Sequence, residues 1–103
     1  MISSINEKAP LECTNISEVR KEIDSIDRVI IQLLSNRLGY VREVVKYKEN
    51  TPSGVEASGR RAAVLSSRRE WASDGGLNPD VVEDIYNRLI EYFIEEEKKI
   101  INV

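Results

Sequence analysis

The sequence predicts an all-α protein: three helices per chain, the first of them very long, joined with a second copy into an intertwined homodimer bundle. Three observations carry that expectation. Apolar residues step by three and four through Ile16, Val19, Ile23, Ile26, Ile30 and Leu33, then resume at Tyr40, Val44 and Tyr47. That is the spacing of a helix packed along one face. Two clusters of turn residues, NTPSG at 50–54 and DGGLN at 74–78, cut the chain into three such stretches. No stretch alternates with the two-residue period of a strand, and there is no internal repeat or low-complexity segment.

The first helix is expected over 15–49, after an N-terminal extension at 1–14. Asn15 can cap it, and Glu18, three residues on, completes a capping box. A helix over 15–49 is roughly 50 Å long. That is more than a chain of 103 residues needs to enclose one core. The second wall for such a helix is another copy of itself, and two-fold homodimers are the commonest arrangement. The second helix, about 56–73, has a weaker face of Ala62, Ala63, Val64, Leu65 and Trp71, and Gly75 and Gly76 suit its C-terminus. The third, 79–100, opens with Asn78 as cap and Pro79 at the first helical position. Val82, Ile85, Leu89, Ile90, Phe93 and Ile94 form its stripe. Residues 1–103 read as a single helical domain. A coiled-coil spacer is the plainer alternative, but three turn-separated helices of unequal length suit a compact bundle better.

Composition removes several classes of function. The chain has no histidine, one cysteine, and a net charge of −3. Without histidine there is no Ser-His-Asp triad and no histidine metal site, and one cysteine cannot build a disulfide scaffold. No metal or cofactor is expected, and Cys13 reads as a free thiol in a reducing compartment. The start, MISSINEKAPLEC, has no apolar signal region, and no run reaches the length of a membrane span. The expectation is a cytoplasmic protein with no membrane contact. Its negative charge argues against nucleic acid as a partner.

One slot on the first seam is anomalous: between Leu33 and Tyr40 it holds Arg37. Lys48 follows eleven residues later, about 16 Å along a helix axis, a gap that two long side chains can close around a small molecule. Arg20 lies twenty-eight residues from Lys48, about 42 Å, and can join them only from the second chain of an antiparallel dimer. If Arg20 falls opposite the midpoint of Arg37 and Lys48, the two-fold axis crosses near residue 31, beside the middle of a 15–49 helix. Arg60 and Arg61 add charge at the start of the second helix.

In the third helix Glu95, Glu96 and Glu97 interrupt the stripe, and spacing alone leaves Glu96 and Glu97 both open as the inward carboxyl group. Several cations with one carboxyl group and no nucleophile suit a small dicarboxylate whose reaction needs positioning and electrostatics. Each residue also has a plainer reading. A seam arginine can lay its stem on apolar surface with its head in water. Arg20, Asp24 and Arg28 can form a surface ladder, and Lys48 can complement a helix C-terminus. The acidic run followed by Lys98 and Lys99 can be solvated, Asp24 and Asp27 suit salt bridges better than a metal, and Trp71, Tyr86 and Tyr92 suit a core.

Two stretches, ECTNISEVRKEIDSIDRVIIQLLSNRLGYVREVVKYK and GRRAAVLSSRREWASDGGLNPDVVEDIYNRLIEYFIEEE, together covering roughly residues 12–98, resemble the all-helical chorismate mutase family. Within it they look most like the isochorismate pyruvate lyases that make salicylate for siderophores. The resemblance implies that Arg20, Arg37, Lys48, Arg60 and Glu97 line the site, with Arg20 from the partner chain, and it selects Glu97 over Glu96. It implies a cofactor-independent pericyclic reaction. Arg20 and Arg37 would clamp two carboxylates, Lys48 would donate to the ether oxygen, and ENTPSG would close over the ligand.

Two positions depart from the pattern. Arg61 stands where mutases carry an acid and lyases an apolar residue, and a slip of one residue in 50–59 would make Arg61 the ligand arginine. Glu97 stands where lyases carry glutamine, and a glutamate must hold a proton to donate. Three functions follow in order: isochorismate pyruvate lyase; chorismate mutase, or a relative acting on an amino-substituted chorismate; and a non-catalytic helical dimer that binds a small acid.

Overall fold

The first helix, α1, spans Ile16–Val44 in a computed structural model that describes residues 5–48, 54 and 57–101. Its start is built from the residues that the sequence singles out. Asn15 Oδ1 accepts the Glu18 N–H at 2.9 Å. Glu18 reaches back, accepting the Thr14 N–H at 2.8 Å and the Thr14 hydroxyl at 3.0 Å. The reciprocal half of the cap therefore falls one residue before Asn15. With 29 residues, α1 is about 43 Å long. It stops short of the expected end because Val45–Tyr47 tighten into a 3-10 turn. Lys48 follows in extended conformation, its N–H bonded to the Val45 carbonyl at 3.2 Å. Residue 49, the expected helix end, lies outside the described residues, as does most of the NTPSG cluster.

The chain divides between Gly39 and Tyr40 into two compact units. In the first, the segment before α1 folds along that helix and is tied to it by a carboxylate the sequence reading passed over. Glu22 is buried and accepts three hydrogen bonds, from Asn6 Nδ2 at 2.9 Å, Glu7 N at 3.2 Å and Lys8 N at 3.0 Å. Two ion pairs flank it, Lys8–Glu18 at 2.7 Å and Lys21–Glu7 at 3.0 Å. Pro10–Glu12 form a 3-10 turn closed by the Ala9 N–H on Glu12 at 2.7 Å. The expected extension at 1–14 is thus a docked strap over its described part. The α1 seam itself stays open: Ile16, Val19, Ile23, Ile30 and Leu33 are between 41% and 62% exposed.

The second unit is a helical hairpin of α2 (Ser58–Asp74) and α3 (Pro79–Ile101). Val64, Ile90 and Ile94 form its core, with Leu65, Tyr86 and Ile101 packed around them. The 3-10 turn after α1 rests on α3, and its Val45 is buried. The expected start of α2 at 56 is outside the described residues; Ala57, just before the helix, is left-handed at φ 44°.

The turn between the helices works as its glycines predict. Gly76 is left-handed at φ 78°, so its N–H reaches the Ser73 carbonyl at 3.1 Å and the Leu77 N–H reaches Ala72 at 2.8 Å. This double bond pattern closes a helix C-terminus. Asn78 then caps α3 through the Asp80 and Val81 N–H groups at 2.9 and 3.4 Å. Arg69 clasps the two helices, 2.8 Å from both Asp80 and Glu83.

The aromatic expectation needs correction. Tyr86 packs on the core, but Trp71 is 59% exposed and Tyr92 is exposed as well. The Arg68 guanidinium covers the Trp71 ring at 4.4 Å, with the Tyr86 ring at 5.6 Å from the same cation. A cation over an aromatic face offsets part of the cost of leaving the ring in water. Among the described residues there are three α-helices and no strand, and no helix is long and apolar enough to cross a membrane.

Candidate active site

The buried stripe of α3 runs Ile90, Phe93, Ile94, Glu97, so the helical period that sinks three apolar residues also sinks one carboxylate. The Glu97 side chain is 4% exposed, and Lys48, at 22%, places Nζ 2.8 Å from its Oε1. Val45, buried three residues earlier, anchors the 3-10 turn that delivers the lysine. A carboxylate this deep needs such a partner, because an unpaired buried charge is costly.

Glu96 points elsewhere. It takes Lys99 at 2.7 Å and Arg42 at 3.6 Å, and the Lys99 bond chiefly holds its carboxyl below the usual range. Spacing could not separate the two glutamates; the geometry puts Glu97 inward.

The adjacent arginines on α2 are also separated. Arg61 crosses to α3, with Nη2 donating to Asn87 Oδ1 at 3.1 Å and lying 3.5 Å from Glu91 Oε1. Arg60, on the same turn, is exposed. Consecutive residues point about 100° apart on a helix, so one arginine clasps the hairpin and the other does not.

The remaining two cations belong to the first unit. Arg37 is half-buried on α1, and Arg20 is exposed, in a shallow concavity that also involves Ser17, Lys21, Asp24 and Arg28. Arg20 and Arg37 are seventeen residues apart on one helix, about 26 Å. No small dicarboxylate spans both from a single chain. Of the five candidates, the structure pairs Lys48 with Glu97 directly. The ENTPSG stretch, apart from Gly54, lies outside the described residues.

Two contacts escaped the sequence reading. Glu22 breaks an apolar face as Arg37 does, lying three after Val19 and four before Ile26, and that spacing is a usable signal. It is masked by Ile23, which fills the seam beside it. The Arg61–Asn87 contact has no local signal, since it depends on how α2 and α3 pair.

The chain is similar to known proteins over most of its length. A family model described as chorismate mutase type II matches residues 19–98, a span that contains all five candidates. Isochorismate pyruvate lyase of Pseudomonas aeruginosa is 35% identical over 92 residues, covering 89% of this chain and 90% of that protein. T-protein of Haemophilus influenzae is 37% identical over 75 residues, 73% of this chain and 20% of its own length. T-protein of Enterobacter agglomerans is 34% identical over 85 residues, 82% of this chain and 23% of its own. The chain therefore spans about a fifth of the T-proteins but nearly the whole of the lyase. A family match over most of the chain, a relative at 35% identity over 89% of the chain and an all-helical fold lead to one conclusion: the chain belongs to the chorismate mutase type II family.

Proposed function

We propose that the protein is an isochorismate pyruvate lyase, working as a cytoplasmic homodimer without a cofactor, with chorismate mutase activity as a weaker side reaction. The observation that carries a pericyclic site is the buried Lys48–Glu97 pair, a cation held where an ether oxygen can be met. Preference for isochorismate is supported by likeness to a lyase over 90% of that protein's length. It is also supported by Arg61, which turns to Asn87 and leaves no acid after Arg60 to hold the ring hydroxyl of chorismate.

In this reading the substrate is folded with its enolpyruvyl side chain over the ring. The C–H bond at ring C2 breaks as a new C–H bond forms at the side-chain methylene, while the ether C–O bond opens. The ring becomes salicylate and the side chain leaves as pyruvate. Arg37 and the second chain's copy of Arg20 hold the two carboxylates, each guanidinium offering a fork that matches its target. Arg60 adds charge at the rim. Lys48 donates to the ether oxygen, where negative charge grows in the transition state, so the bond strengthens as the barrier is climbed.

Glu97 accepts from Lys48 at rest, and it donates to the same oxygen only when protonated. Glu97→Gln keeps an acceptor for Lys48 and supplies that donor without needing a proton, so it should hold or raise kcat/KM for isochorismate. A clear fall in kcat/KM in a folded variant removes Glu97 from this role.

The open seam of α1 and the 26 Å or so between Arg20 and Arg37 both support the homodimer. Chorismate mutase is the second reading, favoured by Glu97 itself, because glutamate at this position resembles some mutases. The deciding experiment offers isochorismate and chorismate separately to the purified protein and follows salicylate and prephenate. Dominant salicylate supports the lyase, and dominant prephenate replaces it with the mutase. Neither product, from acid to neutral pH, leaves a helical dimer that binds a small acid.

A further inference from the structure

The strap ahead of α1 builds a feature that the proposed reaction does not use. Between residues 6–13 and the helix lies a cavity of about 390 Å³. Its apolar wall is Val19, Ile23 and Ile26, with Pro10 and Cys13 on the strap side, and its polar lining is acidic, with Glu7, Glu12 and Glu22 against Lys8. The strap is firmly seated, since Glu22 takes three hydrogen bonds from it. It covers one flank of the seam and leaves Val19 and Ile23 exposed.

We propose that this groove receives Tyr40 of a second copy, so that the strap is a working part of the dimer interface. The inference rests on the homodimer reading and adds to it. Three observations choose the occupant. The wall residues Val19, Ile23 and Ile26 are themselves steps of the seam along which the second copy lies. An antiparallel crossing near residue 31 sets residues 36–43 of one chain opposite 19–26 of the other, which brings Tyr40 to the level of Glu22.

The third observation concerns fit. Tyr40 continues the seam yet is 79% exposed, and its ring offers a large apolar area with a polar tip for a partner to bury. The groove is wide enough for that ring, and its carboxylates accept from the phenol hydroxyl. The same register puts Arg20 opposite residue 42, so the strap sits next to the arginine that each chain lends to its partner.

A double-mutant cycle on the full-length chain tests this, read as the dimer dissociation constant by sedimentation equilibrium, with helical circular dichroism as the check on folding. Glu22→Ala releases the strap and Tyr40→Ala empties the groove. Each should raise the dissociation constant about tenfold. Together they should raise it no further than either alone, because both remove one contact. Multiplying effects, or no effect of either variant on a folded dimer, overturns the proposal while leaving the homodimer intact. A wild-type chain that stays monomeric at all concentrations overturns the homodimer itself, which is a different result on the same instrument.

Discussion

Arg60 and Arg61 show how neighbours of one type acquire different work. Arg61 spends its guanidinium on Asn87 and Glu91 of α3, partners that are themselves partly solvated, so the clasp is worth up to about 1 kcal/mol. Arg60 faces outward, where a ligand carboxylate can reach it. Arg60→Ala should therefore lower kcat/KM for isochorismate by about tenfold to a hundredfold, the usual worth of a charge-assisted hydrogen bond, with the melting temperature unchanged. Arg61→Ala should do the reverse, lowering the melting temperature by a few degrees while activity holds. Steady-state kinetics beside thermal melts of both variants check the assignment; an inactive Arg61→Ala with intact stability would exchange the two roles. The residues most readable from sequence are those that break a pattern. Arg37 interrupts a seam, and Glu97 interrupts a stripe that continues to Ile101. Glu22 interrupts one too, but it stays hidden because the groups that satisfy it, Asn6, Glu7 and Lys8, come from a segment with no periodicity of its own.

Among the elements, α1 and its strap form a unit whose attachment is electrostatic. Glu18 is held down to about 2 from an ordinary 4.5, chiefly by the Lys8 ammonium and then by the Thr14 N–H and hydroxyl. Glu22 is lowered as well, mainly by Asn6, with burial pushing the other way and the Lys8 and Glu7 amides adding to the lowering. Both carboxylates favour the docked strap when ionised. A group lowered on docking contributes its full effect above its undocked value and loses it as pH falls toward the docked one. The strap should thus stay attached from neutral pH down to 4.5 and come away between there and about 2. Carboxyl resonances followed by NMR should give a Glu18 midpoint near 2, with the Glu7, Lys8 and Thr14 amides losing exchange protection over the same fall. A midpoint at the ordinary value would mean that the strap is not held this way. Helix caps and the Gly75–Gly76 turn were legible because their chemistry is local. The end of α1 was not, since Val45–Tyr47 continue the apolar period, and only packing of Val45 against α3 favours the tighter turn. Trp71 was misplaced for a different reason: its spacing suits a core, and the apolar pattern does not display the Arg68 stack on its ring, an i, i+3 contact within α2.

For the whole molecule, the question is whether a site needs two chains. One α1 cannot bring Arg20 and Arg37 to a common ligand across about 26 Å, whereas an antiparallel pair crossing near residue 31 brings Arg20 of one chain level with the midpoint of Arg37 and Lys48 of the other. That arithmetic was available from sequence because helix rise is fixed, even though no single-chain contact records the dimer. It makes an asymmetric prediction. Chains carrying Arg20→Ala and chains carrying Lys48→Ala should each be inactive alone. Mixed in equal amounts and allowed to exchange, half of the dimers carry one chain of each kind, and in these one site of two has both residues intact. Activity should recover to about a quarter of wild type. Arg37→Ala chains mixed with Lys48→Ala chains should recover nothing if, as proposed, those two residues serve one site from the same chain, because each site of the mixed dimer then lacks one. Subunit exchange is verified by a mass tag on one variant. Recovery in the first mixture alone establishes the split site. Recovery in both mixtures would place Arg37 across the interface as well, and recovery in neither, after verified exchange, would overturn the split between chains; an Arg20→Ala chain active on its own would return Arg20 to the surface of α1 as a solvated cation.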